Sequence, residues 1–195
     1  MEHILLCEEL KYIINMKYYL IGSLSEYNAI RFKDVSDWQK NMGYNPKIKQ
    51  NWENPHMEYI YSVKSKKKFD ISTACIPLYT MSSHAIDCLY ELISKYGEIL
   101  PIADPSGFSF FYCTNIIDAL IEEESSLNYL DKEKGWISSI NHFTLSKEAI
   151  KGQDIFRIPQ ANYRYTFFSE NFKELVEKFS LKGIHFDRIE QISVK

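Results

Sequence analysis

The side chains best suited to acid–base chemistry in this sequence are His185 and Asp187, near its C-terminal end. The surrounding segment, 184–194, has the apolar content of a β-strand, and alternate residues of a strand lie on one face. A histidine beside a carboxylate can act as a general acid–base pair. The wet face of a strand also carries polar residues without any catalytic role. A small hydrolase or nucleic-acid-processing enzyme that uses His185 and Asp187 is therefore kept as the alternative function.

A second pair with possible chemistry is His84 and Cys88, which are one turn apart in a predicted helix and are suited to share a metal ion. No further ligand pair has the spacing of a metal site. The phosphate-binding glycine loops and the zinc motif H-E-x-x-H do not occur in the sequence. We interpret His84 as a surface histidine beside a packed cysteine, and we predict no metal, no cofactor and no enzymatic activity.

A third group combines acidic residues with one tryptophan: Glu122, Glu123, Glu124, Asp131, Glu133 and Trp136. Clustered charge of one sign accelerates encounter with an oppositely charged protein, and a neighbouring aromatic side chain supplies an anchor. A solvated helix end explains the same residues without a partner. We nevertheless predict these six residues as the contact surface for a basic protein, with the aromatic-rich region Trp38–Trp52 as the second choice.

The elements that position these residues indicate an α+β fold with a mostly antiparallel or mixed sheet. Two amphipathic helices are predicted at about 82–96 and 169–181, each capped by a serine, with Gly97 as the left-handed stop of the first. Residues 115–130 fit one further short helix. Strands are predicted at 17–21 (ending at Gly22), 57–63, 98–102, 108–113, 136–145, 155–158, 163–168 and 184–194. For 136–145 the helical periodicity is nearly as good.

The composition is that of a globular protein, with 195 residues, 45% hydrophobic content and a net charge of −3. Seven glycines and six prolines exclude collagen-like and low-complexity classes. Only four of the 23 basic residues are arginine, which indicates an AT-rich, bacterial genome and disfavours nucleic-acid binding. The four dispersed cysteines predict reduced thiols rather than a disulfide framework.

The domain organisation predicted from the sequence is simple. Residues 1–15 are interpreted as a leader or an upstream start, and residues 16–195 as a single domain. No signal peptide and no apolar run of membrane-spanning length are recognisable, so we expect a cytoplasmic protein without a membrane partner. Self-association through exposed aromatic side chains is a further alternative.

Several segments in the C-terminal two-thirds of the chain resemble a family of bacterial immunity proteins from polymorphic toxin systems. The similarity lies in the helix 82–92 with the following G-E-I-L-P, in Asn115-Ile116-Ile117-Asp118-Ala119-Leu120 with Glu122, Glu123 and Ser125, and in 154–159, 168–173 and 181–186. The start Met16-Lys17-Tyr18-Tyr19 also resembles a family N-terminus. One departure is Ile121, where the family usually has an aspartate.

This resemblance implies a small α+β cytoplasmic protein without catalytic activity. Its partner would be a cognate toxin encoded by an adjacent gene, which it would neutralise by stoichiometric occlusion. No nucleic acid and no membrane would be involved.

Overall fold

A computed structural model describes residues 16–41, 43–60, 67–187 and 189–195. The described helices are α1 (Val35–Lys40), α2 (Ser83–Ile93) and α3 (Glu170–Lys178). The described strands are β1 (Tyr18–Ser23), β2 (Ala29–Phe32), β3 (Met57–Ile60), β4 (Ile71–Cys75), β5 (Leu78–Ser82), β6 (Gly97–Pro101), β7 (Phe108–Cys113), β8 (Ser126–Asp131), β9 (Trp136–Leu145), β10 (Ile155–Arg157), β11 (Thr166–Ser169), β12 (Ile184–Asp187) and β13 (Ile192–Val194). The predicted leader, 1–15, and the end of the strand predicted at 57–63 lie outside the described residues.

The strands form four sheets, and the α+β class is confirmed. Two sheets have four strands, in the orders β10-β11-β1-β12 and β4-β5-β7-β6. The third has the order β13-β9-β8, in which β13 runs parallel to β9, and β2 pairs with β3. Strand β1, the first described strand, lies between two strands from the C-terminal part of the chain, β11 and β12. Tyr19 lies opposite Phe168, and Gly22 lies opposite His185.

Three strands are buried on both faces because their alternate side chains enter different hydrophobic clusters. Strand β7 contributes Phe111 to the cluster beneath α2 and α3, and Phe110 to the cluster beneath β2 and β3. Strand β11 contributes Phe168 to the first cluster and Phe167 to a third cluster beneath β9. Strand β1 also contributes side chains to two clusters: Ile21 belongs to the first cluster and Leu20 to the third. This double burial explains the near-continuous aromatic runs in the sequence.

The two predicted helices are confirmed, with their serine caps. The Ser82 hydroxyl accepts a hydrogen bond from the Ala85 amide at 3.1 Å, and the Ser169 hydroxyl accepts one from the Phe172 amide at 3.3 Å. Both bonds satisfy amides that a helix start leaves without a partner. Each helix ends three residues earlier than predicted.

Gly97 does not stop α2 through a left-handed conformation. It is instead the first residue of β6, where the Tyr112 carbonyl oxygen and the Phe111 ring occupy the space that a Cβ atom would need. A glycine is therefore required there by close approach of a neighbouring strand.

The short helix predicted at 115–130 is wrong. The Ile117 amide donates to the Arg157 carbonyl oxygen at 2.9 Å, and the Ile121 amide donates to the Thr144 carbonyl oxygen at 2.8 Å. Because these bonds go to other segments, the region contains only a 3-10 turn at Glu122–Glu124, followed by β8. The final strand predicted at 184–194 is also divided, into β12 and β13, with a 3-10 turn at Ile189–Gln191 between them.

Candidate functional site

The acidic run Glu122–Glu124 lies on a backbone turn that neighbouring hydroxyl groups hold in place. The Ser125 hydroxyl donates to the Ile121 carbonyl oxygen at 2.7 Å, and the Thr144 hydroxyl donates to the Glu124 carbonyl oxygen at 2.8 Å. The three carboxylate side chains are exposed. The turn therefore presents its negative charge to solvent from a fixed backbone.

The other predicted residues, Asp131, Glu133 and Trp136, belong to the tip of the β8–β9 hairpin. Asp131 Oδ1 accepts a hydrogen bond from the Lys134 amide at 3.1 Å, and its Oδ2 lies 3.4 Å from Lys134 Nζ. The same Nζ lies 4.8 Å from the centroid of the Trp136 ring. Trp136 remains 56% exposed, so the hairpin tip carries a large apolar ring in contact with solvent.

A cleft of about 380 Å³ brings the acidic turn and the hairpin together, and we call it the acidic cleft. Its lining residues are Glu122, Gly135, Trp136, Ile137, Pro159, Gln160, Ala161 and Asn162. Of the six predicted residues, the structure places only Glu122 and Trp136 in this cleft. Glu124 does not line the cleft, and its carboxylate forms an ion pair with Lys195, which follows β13.

The sequence analysis did not predict Gln160, or its hydrogen-bond partner Asp118, as residues of this site. Gln160 Nε2 donates to Glu122 Oε1 at 3.1 Å and to Asp118 Oδ1 at 2.9 Å. One neutral amide of the cleft lining therefore contacts two carboxylates; Glu122 also lines the cleft, whereas Asp118 is not among its lining residues. Nothing in the local sequence signals this contact, because Gln160 is separated from both acids by about forty positions.

Ala161 and Asn162 form part of the wall of the acidic cleft, and together with Tyr163 they make a backbone turn of unusual conformation. Their φ angles are +52°, +57° and +56°. L-residues enter this left-handed region at a cost of roughly 1–2 kcal/mol each, and they rarely do so consecutively. We call these three residues the left-handed turn; strain of this kind is often found at functional sites.

Buried Arg157 supports the left-handed turn from the protein interior. Its Nε donates to the Tyr163 carbonyl oxygen at 2.8 Å, Nη2 donates to the same oxygen, and Nη1 donates to the Cys113 carbonyl oxygen at 3.4 Å. The guanidinium also lies 5.0 Å from the centroid of the Tyr112 ring. On the outside, the ring of Tyr163 stacks on Tyr44 at a centroid distance of 4.8 Å.

A second cleft, of about 480 Å³, lies on the other side of the left-handed turn, and Asn162 lines both clefts. Trp38, Arg164 and Asp187 are among its lining residues. The region Trp38–Trp52 thus reaches this surface through Trp38 and, by its stacking on Tyr163, through Tyr44. Trp52 does not line this second cleft; its Nε1 donates a hydrogen bond to the Pro101 carbonyl oxygen at 2.6 Å.

The predicted pair His185 and Asp187 is in contact, with His185 Nε2 2.9 Å from Asp187 Oδ1. Strand β1 does not stop at Gly22 as predicted, because Gly22 lies within the strand opposite His185. A Cβ atom on Gly22 would lie 2.7 Å from Asp187 Oδ2 and 2.8 Å from His185 Cε1. The glycine therefore leaves room for the pair, which lies at the edge strand β12 with both side chains partly exposed.

Two of the three cysteines that the structure describes, Cys75 and Cys113, are buried, and Cys7 lies outside the described residues. Cys75, Cys88 and Cys113 are free, and burial raises the pKa of Cys75 and of Cys113 to about 12. Cys88 Sγ lies 3.7 Å from His84 Nδ1. In the described ranges no group of three or more histidine, cysteine, aspartate or glutamate side chains is arranged to hold a metal ion.

One family model matches part of the chain. Residues 104–191 match the model of the immunity protein family Imm11, so the family resemblance is confirmed for the C-terminal part of the chain. The motifs at 82–101 and at Met16 lie outside this match. No curated protein matches the chain. Across the part of the chain that the structure describes, every helix is too short or too polar to cross a bilayer.

Proposed function

We propose that this protein is a non-enzymatic immunity protein that binds one cognate toxin domain in the bacterial cytoplasm and inhibits it by stoichiometric occlusion. The observation that carries the proposal is the Imm11 match at 104–191. That range includes the acidic turn, the β8–β9 hairpin, Arg157 and the left-handed turn. The surface that we propose below lies within the matched range.

The contact surface that we propose consists of the β8–β9 hairpin tip, the acidic turn and the left-handed turn. Leu130 and Trp136 supply exposed apolar area at the hairpin, where they are 76% and 56% exposed. Tryptophan is among the side chains that contribute most binding energy at protein interfaces, so Trp136 is the proposed anchor and Leu130 adds apolar area beside it. The left-handed turn is already ordered by Arg157, so little conformational entropy is lost when a partner covers it.

Charge favours a basic face on the toxin. The predicted residues Glu122, Glu123, Glu124, Asp131 and Glu133 give this end of the molecule a local negative charge. Asp131 is engaged with Lys134 and Glu124 with Lys195, so Glu122, Glu123 and Glu133 are the acids that we propose as toxin contacts. Long-range attraction of this type raises the association rate, and salt screens it.

The function is tested by co-expression with the toxin encoded by the neighbouring gene. We expect the protein to rescue growth and to co-purify with the toxin domain in a 1:1 complex of nanomolar or tighter affinity, burying roughly 1,200–2,000 Å². Failure both to rescue growth and to form the complex would overturn the proposal.

The acidic surface has its own test, in which the three acids proposed as toxin contacts, Glu122, Glu123 and Glu133, are all replaced by lysine. We expect slower association and a weaker dependence of the association rate on salt. The matched control replaces the exposed Glu148, Glu174 and Glu177 by lysine, which changes the net charge equally but outside the proposed surface. An equal loss of affinity in both variants would show that only net charge matters.

The hydrolase alternative is favoured by one observation, the 2.9 Å contact between His185 and Asp187. If this pair were catalytic, His185→Ala and Asp187→Asn would abolish protection of the cell while the complex with the toxin still formed. Under the binding proposal, both variants protect as well as the wild-type protein.

We also propose that residues 16–195 fold as one domain. Strand β1 supports this, because it pairs with β11 and β12 from the other end of the chain. A protein that begins at Met16 is expected to unfold in a single cooperative transition and to protect against the toxin. Two separate unfolding transitions would contradict the proposal.

A further inference from the structure

We infer that the acidic cleft binds a guanidinium group, that of an arginine side chain projecting from the protein partner. This inference rests on the proposed function and adds the chemistry that the site recognises. Its three components are the Trp136 ring, the Glu122 carboxylate with the Asp118 carboxylate that shares Gln160 outside the cleft lining, and the rigid backbone of the left-handed turn.

The first component is the ring of Trp136. Tryptophan is the aromatic side chain that binds cations most strongly through its face. The chain itself demonstrates this preference, since Lys134 Nζ lies 4.8 Å from the ring centroid. The carboxylate partner of Lys134 is Asp131 at the hairpin tip, and neither residue is among those that line the cleft. An arginine in the cleft would contact the Trp136 ring together with the Glu122 carboxylate, rather than the Asp131 carboxylate that Lys134 contacts.

The second component is the pair of carboxylates that share Gln160. Oxygen atoms of Glu122 and Asp118 both lie within 3.1 Å of the same Gln160 nitrogen. An amide donor neutralises no charge, so two negative groups converge without compensation. Within the described part of the chain, neither of these carboxylates forms an ion pair. A cation entering the cleft would relieve their mutual repulsion.

The geometry favours arginine over lysine for two reasons. A guanidinium is planar, so it can stack on an indole ring while its edge donates hydrogen bonds. It also has five N–H donors in a fixed plane, which suits two converging carboxylates better than the single ammonium group of lysine. The cleft, at about 380 Å³, has room for one such side chain.

The third component is the wall formed by Pro159 and the left-handed turn. Arg157 fixes the Tyr163 carbonyl oxygen from below at 2.8 Å, and the Tyr44 ring stacks on Tyr163 from above. The wall is therefore in place before a partner binds, which lowers the entropic cost of filling the cleft.

The first experiment needs no toxin. The indole N–H resonance of Trp136 is followed by NMR while N-acetyl-arginine methylamide is added to the full chain. We expect a saturable shift at millimolar concentration, a weaker one with the lysine analogue, and none with the citrulline analogue, which has the same shape without the charge. A citrulline response equal to that of arginine would overturn the inference.

Variants then separate the cleft from the rest of the acidic surface. Glu122→Gln is expected to weaken the arginine response at least about fivefold, as expected for loss of a charged hydrogen-bond partner. Glu123→Gln, in the same turn but outside the cleft lining, should leave the response unchanged. Equal effects of the two variants would exclude the cleft as the binding site. Chemical denaturation of each variant confirms that it is folded.

With the toxin of the neighbouring gene, Trp136→Ala and Glu122→Gln are each expected to weaken the complex about tenfold or more. Glu148→Gln, at an exposed acid outside the proposed surface, should weaken it less than about twofold. A tight complex that is indifferent to Trp136→Ala and Glu122→Gln would overturn the cleft inference and leave the proposed function intact. Absence of any complex with the wild-type protein would overturn the proposed function, while the arginine titration would still decide whether the cleft binds a guanidinium.

Discussion

The guanidinium of Arg157 lies directly beneath the backbone of Tyr163, with Nε 2.8 Å from the Tyr163 carbonyl oxygen. Arg157 is fully buried, and its contacts are backbone carbonyl oxygens and the Tyr112 ring. A buried cation with such partners stabilises whatever backbone geometry presents those oxygens. Arg157 thereby links the interior to the left-handed turn on the surface.

Replacing Arg157 with lysine should destabilise the protein. A single ammonium group cannot reach both the Tyr163 and Cys113 carbonyl oxygens with the planar geometry of arginine. We expect Arg157→Lys to lower the free energy of unfolding by about 2–3 kcal/mol, measured by urea denaturation.

The matched control for this change is Arg164→Lys. Arg164 is exposed, and its contact to the Ser138 carbonyl oxygen is long, at 3.5 Å. We expect a change within about 0.5 kcal/mol. Equal destabilisation by the two variants would contradict the supporting role of Arg157.

The left-handed conformation of Asn162 gives a second prediction. Asparagine tolerates φ = +57°, whereas a β-branched side chain does not. We expect Asn162→Val to cost about 1–2 kcal/mol of unfolding free energy and Asn162→Gly to be nearly neutral. The same change at the exposed Asn141 of β9, Asn141→Val, should be tolerated because a strand accommodates valine. A tolerated Asn162→Val would show that the turn readily adopts another conformation.

Close packing of two strands at Gly97 gives a third prediction. A Cβ atom there would lie 2.6 Å from Phe111 Cε2 and would also meet the Tyr112 carbonyl oxygen. Because backbone atoms cannot move aside cheaply, we expect Gly97→Ala to lower the thermal stability, at a cost of about 2–3 kcal/mol. Gly43→Ala is the control, since no atom lies within 4 Å of its Cβ position, and it should be neutral or slightly stabilising.

The fourth prediction concerns acid stability and the carboxyl group of Glu170. Burial raises the pKa of this carboxyl, but hydrogen bonds from Tyr19 and Lys173 outweigh burial, so its pKa is lowered from the usual 4.5. A lowered folded-state pKa contributes stability that is present above pH 4.5 and is lost as the pH falls through the folded-state value.

We therefore expect wild-type protein to be more stable than Glu170→Gln at neutral pH, and the difference to shrink as the pH is lowered below 4.5. Urea denaturation over this range measures the difference. Tyr19→Phe removes one hydrogen-bond donor and should move the loss of stability to higher pH. A difference between wild type and Glu170→Gln that is independent of pH would contradict the role of this carboxylate.

The elements that the sequence predicts well are those set by neighbouring residues. The caps at Ser82 and Ser169 each need only an amide three positions further on, and the apolar stripes of α2 and α3 repeat within one turn. The segment 115–130 has the same local appearance and is nevertheless irregular. Its amides donate to Arg157 and Thr144, and those partners are not visible in the local pattern.

The sequence by itself determined the α+β class, the positions of the two main helices and the presence of acidic residues near a tryptophan in the chain. Tertiary structure alone decided that Glu122 and Trp136 share a cleft, that Glu124 does not, and that Gln160 brings Asp118 to the same place. The reason is physical: periodicity and capping depend on atoms a few residues apart. The cleft depends on how a hairpin, a turn and a buried arginine pack, and no local pattern contains that information.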